Sequence, residues 1–293
     1  MDSLLSHRVP FSAIVDRAPL PIPKGGRMLV WIIVNVEHWS IAKAMPRTVL
    51  SPPMGQALKP DLPNWAWHEY GMRVGFWRLR DALQRRNIVP TMAVNGIVCE
   101  TYPRIAEAAL ELGWEFMGHG HVQGPMHSLE DQAASIEQAV QSIRQFTGKA
   151  PTGWESPGLT ENDQTIDLLS AAGIEYVADW VLDDQPTWIQ AKPKPVLSVP
   201  YTVEINDIPM MLLQSHASDE LFLRGREHLD RLWMESVFQT RVMAISVHPY
   251  ITGTPHRIGY FEQLLDYLLA KEGVVIQTGE EISQWYRHLV PPP

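Results

Sequence analysis

The chain has 293 residues, 45% of them hydrophobic and 19% charged, the balance of a globular protein able to bury a sizeable core. Its net charge of −9, with no basic cluster, argues against nucleic acid or an anionic membrane as partner. The single cysteine, Cys99, excludes an intramolecular disulfide. No apolar run reaches the length of a span, and the N-terminus lacks a signal pattern, so a cytoplasmic protein is expected.

Residues 1–27 read as an arm over the surface, closed by the turn signal Pro23-Lys-Gly-Gly26. Residues 28–293 read as one domain. Met28–Val36 (MLVWIIVNV) is a nearly continuous β-branched run, the pattern of a strand buried on both faces. A long polar, Pro-rich connection follows over roughly Ser40–Asn64, and its tail Pro63-Asn-Trp-Ala-Trp-His68 suggests a packed flap. Helical spacing of Val74, Trp77, Leu79 and Leu83 predicts a helix over Tyr70–Arg86. Ile88–Val94 reads as a strand, Pro103–Leu112 as a helix stopped by Gly113, and Trp114–Gly118 as the third strand. Ser128 is the expected cap of the next helix. Thr152–Glu155 is a short strand, Asn162–Ala172 a helix and Ile174–Ala178 a strand. Two strand-like runs, Val196–Tyr201 and Pro209–Gln214, precede a helix over about Ser218–Phe238. Val242–Val247, a helix over Arg257–Ala270, Val274–Gln277 and a helix from Glu280 complete the pattern. Strands alternating with helices predict a parallel sheet covered by helices, and seven or eight such units suggest an irregular barrel.

Polar groups gather just past the predicted strand ends, where barrels of this kind carry their chemistry. Asn35-Val36-Glu37-His38 follows the first strand and His119-Gly-His121-Val-Gln123 the third, with His127 nearby. Glu155-Ser-Pro-Gly158 follows the fourth, Asp183-Asp184-Gln-Pro186 the fifth, and His248-Pro-Tyr-Ile-Thr-Gly253 a late strand. Singly, each has a plain structural explanation: a histidine bonding a loop carbonyl, an Asx turn at Asp183-Asp184, tryptophans as core packing. Their coincidence at one end of several strands is the signal. Carboxylate and imidazole together suit hydrolysis, either by holding a divalent metal or by moving protons directly. No Gly-x-Ser-x-Gly elbow, phosphate loop or dinucleotide fingerprint is present. Cys99, after the second predicted strand, is the remaining candidate nucleophile and a weak one.

This order of motifs resembles the polysaccharide deacetylase superfamily, and within it the branch of allantoinase-type and cyclic-imide-hydrolysing enzymes. Glu69-Tyr-Gly-Met-Arg73-Val-Gly-Phe-Trp77-Arg and Gly158-Leu-Thr-Glu-Asn resemble segments of that branch, and the resemblance runs from about Met28 to Tyr286. It implies a distorted (β/α) barrel of about seven parallel strands and hydrolysis of a non-peptide C–N bond. It also implies a metal ligand at Glu37 and another at His119. The family's catalytic aspartate is replaced by Asn35, which cannot take a proton, and its second histidine ligand by Gln123, a poor zinc ligand. Two versions of the site follow: one divalent metal, Zn2+ by preference, on Glu37 and His119 with His121, Gln123 or His127 helping, or a metal-free site. In the second, Glu37 is the general base and burial is expected to raise its pKa. The resemblance makes His248 the general acid, oriented by Asp183 or Asp184. Trp65, Arg73, His121, Glu155 and Trp180 are the expected substrate-binding residues.

The leading functional expectation is a hydrolase opening a small cyclic amide, imide or ureide. The alternatives are a metal-dependent N-deacetylase of a sugar or polysaccharide, and a catalytically silent barrel binding a small ligand. A homo-oligomer is expected from the acidic surface and the arm.

Overall fold

The structure is a computed structural model that describes residues 7–293; the first six residues of the predicted arm lie outside the described residues. The curled sheet contains β1 (Met28–Val36), β2 (Thr91–Val94), β3 (Glu115–Gly118), β4 (Gly153–Trp154) and β5 (Tyr176–Val177). It is completed by β6 (Thr187–Ile189), β7 (Val196–Ser198), β8 (Val242–Val247) and β9 (Val274–Ile276). The strand order is β6-β7-β5-β4-β3-β2-β1-β8, with β9 also pairing β1. Every pairing is parallel except β6 with β7. The edges approach each other without a full ladder: Asn206 bridges Ser246, and the Val242 amide donates to the Asp184 carbonyl at 2.8 Å. The barrel is therefore distorted and incompletely closed, in line with the fold expected from the sequence.

The apolar run of β1 is explained by burial on both faces. Met28, Val30, Ile32, Val34 and Val36 pack outward against the helices. Leu29, Trp31 and Ile33 point into the lumen with Met117, Tyr176, Leu197 and Ala244. Each such fully buried large side chain contributes on the order of 1.5–3 kcal/mol. Asn35 takes the next inward position and donates to Ser246 Oγ at 2.7 Å, so polarity enters the lumen at its C-terminal end.

The helices are α1 (Leu62–Tyr70), α2 (Phe76–Gln84), α3 (Val98–Thr101), α4 (Pro103–Glu111), α5 (Gln132–Thr147), α6 (Thr165–Ala171), α7 (Glu220–Glu235), α8 (Ile258–Ala270) and α9 (Gly279–Leu289). The expected flap over Pro63–His68 is instead helix α1. Asp61 caps it by accepting from the Asn64 amide at 3.3 Å, and Pro63 sits in its first turn, where a missing N–H costs nothing. A π turn, Gly71–Gly75, joins α1 to α2. Its glycines allow backbone contact with the loop after β8: a Cβ on Gly71 would stand 2.6 Å from the Tyr250 nitrogen, and one on Gly75 2.0 Å from the Pro249 carbonyl. On the other side of that contact, a Cβ on Gly253 would stand 2.5 Å from the Gly75 carbonyl.

Three other expectations are corrected. Pro209–Gln214 is not a strand; Ile208–Leu213 forms a π turn, with Pro209 at its start removing a donor that a ladder would need. The antiparallel β6 carries too short a run to be seen by periodicity. Asp131, not Ser128, caps α5, accepting from the Ala134 amide at 2.9 Å. The described part of the arm packs on the body, where Arg8 pairs with Asp167 at 2.6 Å.

Candidate active site at the C-terminal mouth of the barrel

Glu37, the first residue past β1, lies at the centre of the mouth and is 5% exposed. Its Oε1 accepts from Gln123 Nε2 at 2.8 Å and lies 3.6 Å from His119 Nε2 and 3.5 Å from His248 Nε2. Its Oε2 accepts from Trp39 Nε1 at 3.0 Å and from the Tyr250 hydroxyl at 3.2 Å. The structure thus brings Glu37, His119, Gln123 and His248 together, as the motif order predicted.

Burial alone would raise the Glu37 pKa. The charge of His248 and the closeness of both imidazoles, with Arg47 behind them, outweigh it and hold the carboxylate well below its ordinary range. The expected direction for a buried base is therefore reversed. Glu37 is a permanent anion and a weak base.

His248 is held on its other face by Asp207. Asp207 Oδ1 lies 2.6 Å from Nδ1, while Oδ2 accepts from the His248 amide at 2.8 Å and from Thr252 Oγ1 at 2.6 Å. Burial would lower the His248 pKa, but Asp207 and Glu37 raise it to about 9. At neutral pH it is an imidazolium between two carboxylates. The orienting carboxylate is thus Asp207, not Asp183 or Asp184. Asp183 pairs with Arg17 at 2.6 Å, and Asp184 faces Arg241 at 3.7 Å beside the start of β8. Asp207 was overlooked because the segment after it resembles a strand.

His119 Nδ1 bonds the Glu155 backbone carbonyl at 2.6 Å. Burial would lower its pKa, but Glu37 and Glu155 raise it above the usual value. Glu155 itself is 4% exposed, and its Oε2 accepts no hydrogen bond. Burial, partly offset by His119, pushes its pKa to about 7. Beside it, burial also raises Asp179 and Glu161, whose carboxyl groups face each other. Asn35 leaves Oδ1 unpaired in the same lumen.

The remaining predicted binding residues divide. Trp65, on α1, donates from Nε1 to the Trp39 carbonyl at 3.1 Å and so belongs to the roof. Arg73 is exposed on the π turn and does not reach the site. His121 turns aside toward His38 and Gly96, and His127 is exposed on a short turn. Trp180 donates to Glu161 Oε1 at 3.1 Å and packs, partly buried, against a separate core cluster that contains Ile166 and Leu169. Cys99 is buried, and burial pushes its thiol to about 11, which removes it as a nucleophile.

The roof contains residues that periodicity could not reveal. His68 packs its ring 4.4 Å from Tyr250 and 5.0 Å from Trp39, and burial lowers its pKa. Arg47, from the long loop before α1, lies 5.9 Å above the Trp39 ring and 3.9 Å from Glu37 Oε1.

A chain of amides fixes what faces Glu37. The His38 N–H donates to Asn95 Oδ1 at 2.8 Å, so Asn95 Nδ2 turns to the His119 carbonyl and to Gln123 Oε1, the latter at 2.9 Å. Gln123 must then point its NH2 at Glu37 and at His119 Nε2, 3.3 Å away. Protons of an amide occupy the place toward which the lone pairs of a metal site would converge. Among the described residues no group of three or more His, Cys, Asp or Glu is arranged to hold a metal ion. The donor set does not fit a deacetylase-type zinc on Glu37 and His119, and neither His121 nor His127 is placed to complete one.

Residues 67–177 match the family model described as polysaccharide deacetylase. A Schizosaccharomyces pombe protein named as a putative polysaccharide deacetylase is 28% identical over 74% of this chain and 73% of its own length. A probable polysaccharide deacetylase from Pseudomonas aeruginosa superposes with a TM-score of 0.86 at 24% identity, covering 96% of this chain and 99% of that one. Puue allantoinase gives the same TM-score at 21% identity, again over 96% and 99% of the two chains. The superfamily resemblance and the barrel fold are both borne out. No helix is long and apolar enough to cross a membrane among the described residues.

Proposed function

We propose that this chain, taken as a member of the polysaccharide deacetylase superfamily, is a hydrolase of non-peptide C–N bonds that opens a small cyclic amide, imide or ureide. Enclosure is the observation that carries the reading. Glu37, His119 and His248 are 5%, 1% and 3% exposed under a roof that includes Trp39 and Tyr250. A small ring fits beneath a roof that opens and closes, whereas a polymer needs a standing groove.

The residues present support a reaction routed through protons. Water attacks the carbonyl carbon, and its proton passes to a carboxylate. Glu155, with an unpaired oxygen and a pKa of about 7, suits that role better than Glu37. The carbonyl pair moves onto oxygen, then returns as the C–N bond breaks. The nitrogen takes the proton of His248 Nε2, and Asp207 steadies the imidazole through both states. Glu37 remains anionic and keeps His248 charged until the proton is needed.

A second reading, N-deacetylation of a sugar, is favoured by the name of the Schizosaccharomyces pombe relative. Incubation with succinimide, hydantoin, allantoin and N-acetylglucosamine oligomers, with products resolved by mass spectrometry, decides between them. Ring opening with no acetate release is expected; acetate from the oligomers alone would replace the first reading with the second.

A further inference from the structure

We propose that Arg47 is a catalytic residue that the roof loop delivers to the site, where its guanidinium binds the substrate carbonyl oxygen as that oxygen becomes an oxyanion. The inference rests on carbonyl hydrolysis at this site, the reading given above.

Attack by water puts a negative charge on the former carbonyl oxygen, and a buried site must supply donors for it. The groups around Glu37 are already committed. Gln123, Trp39 and Tyr250 donate to Glu37, and His248 Nε2 carries the proton assigned to nitrogen. Asn35 and Glu155 leave acceptors unpaired, the wrong polarity for an anion. Arg47 differs. Its Nη1 is buried and makes no hydrogen bond, and Glu37 Oε1, at 3.9 Å, is too far to accept one. A buried guanidinium N–H without a partner carries a desolvation cost that an incoming oxygen would remove.

The position of the residue fits the role. Arg47 comes from the loop between β1 and α1, so it approaches from above, opposite the lumen that holds Asn35. Trp39 and Tyr250 flank the guanidinium, leaving it only partly accessible, with 23% of its side chain exposed. Movement of that loop would admit substrate, and its return would bring the charge back. Neighbouring parts of the loop are held by Asn64, whose Oδ1 accepts from Val49 and Leu50 amides at 2.8 and 3.0 Å. The side chain is thus placed by the loop's own tether to α1.

The test is steady-state kinetics of Arg47→Ala and Arg47→Lys on whichever panel compound the wild type hydrolyses, with and without added guanidinium chloride at low millimolar concentration. Loss of one oxyanion donor is expected to lower kcat by about 10²–10³-fold. Lysine, a point charge without the planar fork, should recover only part of it. Guanidinium should restore the alanine variant and leave the wild type unchanged. A purely structural role would not give rescue. Three results would overturn the inference: kcat within about twofold of wild type, a rise in KM with kcat unchanged, or no rescue in a variant that melts like wild type. The test is separable from the ring-opening reading, because an enzyme found to cleave only N-acetyl groups forms the same oxyanion and is assayed the same way. A wild type that hydrolyses nothing overturns both.

Discussion

One end of the barrel holds a half-buried glutamate and the other a buried one, and the two behave oppositely. At the N-terminal end, Glu115 is met by neutral donors only: Thr91 Oγ1 at 2.5 Å, the Tyr176 hydroxyl, and the Glu280 amide at 3.1 and 3.2 Å. Burial wins there, and its pKa rises. At the C-terminal end Glu37 is the more deeply buried of the two, but faces His119, His248 and Arg47, and its pKa falls. Desolvation is common to both. What separates them is whether the surroundings offer dipoles or charges. The first environment closes the base of the barrel, while the second stores separated charge that a reaction can use.

The sharpest way to break this comparison is Glu37→Gln set beside Glu115→Gln. Removing the Glu37 charge leaves Arg47 without its anion and His248 with Asp207 alone, so a loss of up to about 3–5 kcal/mol in urea unfolding is expected, together with loss of turnover. Glu115→Gln keeps one of the two acceptor oxygens and should cost about 1–2 kcal/mol with activity intact. Equal effects at both ends would end the distinction.

The next effect lies in the acid limb of the pH profile. With Glu155 at about 7, kcat/KM should fall as pH drops below 7 and this carboxylate takes up a proton. Glu155→Gln should lower the plateau by about 10²–10⁴-fold and abolish that limb. A limb that persists in the variant would assign the base elsewhere.

Asp207→Asn acts on the opposite limb. His248, at about 9, is an acid below that pH and loses its proton above it, so rate falls on the alkaline side. Removing the Asp207 charge should move this limb to lower pH, with Glu37 still supporting the imidazolium. A limb that stays in place would mean that Asp207 does not set it.

The smallest effect concerns Glu161. Its pKa is raised in the folded state by burial and by Asp179, so folding takes up a proton and stability declines as pH rises above the unfolded value. Glu161→Gln should therefore raise Tm at pH 8 and change it little at pH 4. The same gain at both values would refute the explanation.

Much of the architecture was legible because β1 is apolar on both faces and because Glu37, His119, Glu155 and His248 each end a recognisable strand. Three site residues were not legible, each for a physical reason. Asp207 follows no strand of its own and opens a π turn rich in apolar residues, which reads as a strand. Arg47 sits in a Pro-rich loop, where no periodicity marks an inward side chain. Trp39 acquires its place through tertiary contacts, with the carboxylate two residues before it, with the His68 ring and with Trp65. Arg73 is the reverse case, a motif residue that the π turn presents to solvent. The shift of the Glu37 pKa could not be deduced from its burial, because its sign depends on neighbours from three separate loops.

The backbone contact made by Gly71, Gly75 and Gly253 has a mechanical consequence. With no side chains between them to shear or repack, the bent helix and the His248 loop move as one stiff part. The Arg47 loop is tied to that part through Asn64. Sequence change in the Arg47 loop can then reshape the mouth residue by residue without disturbing the alignment of His248.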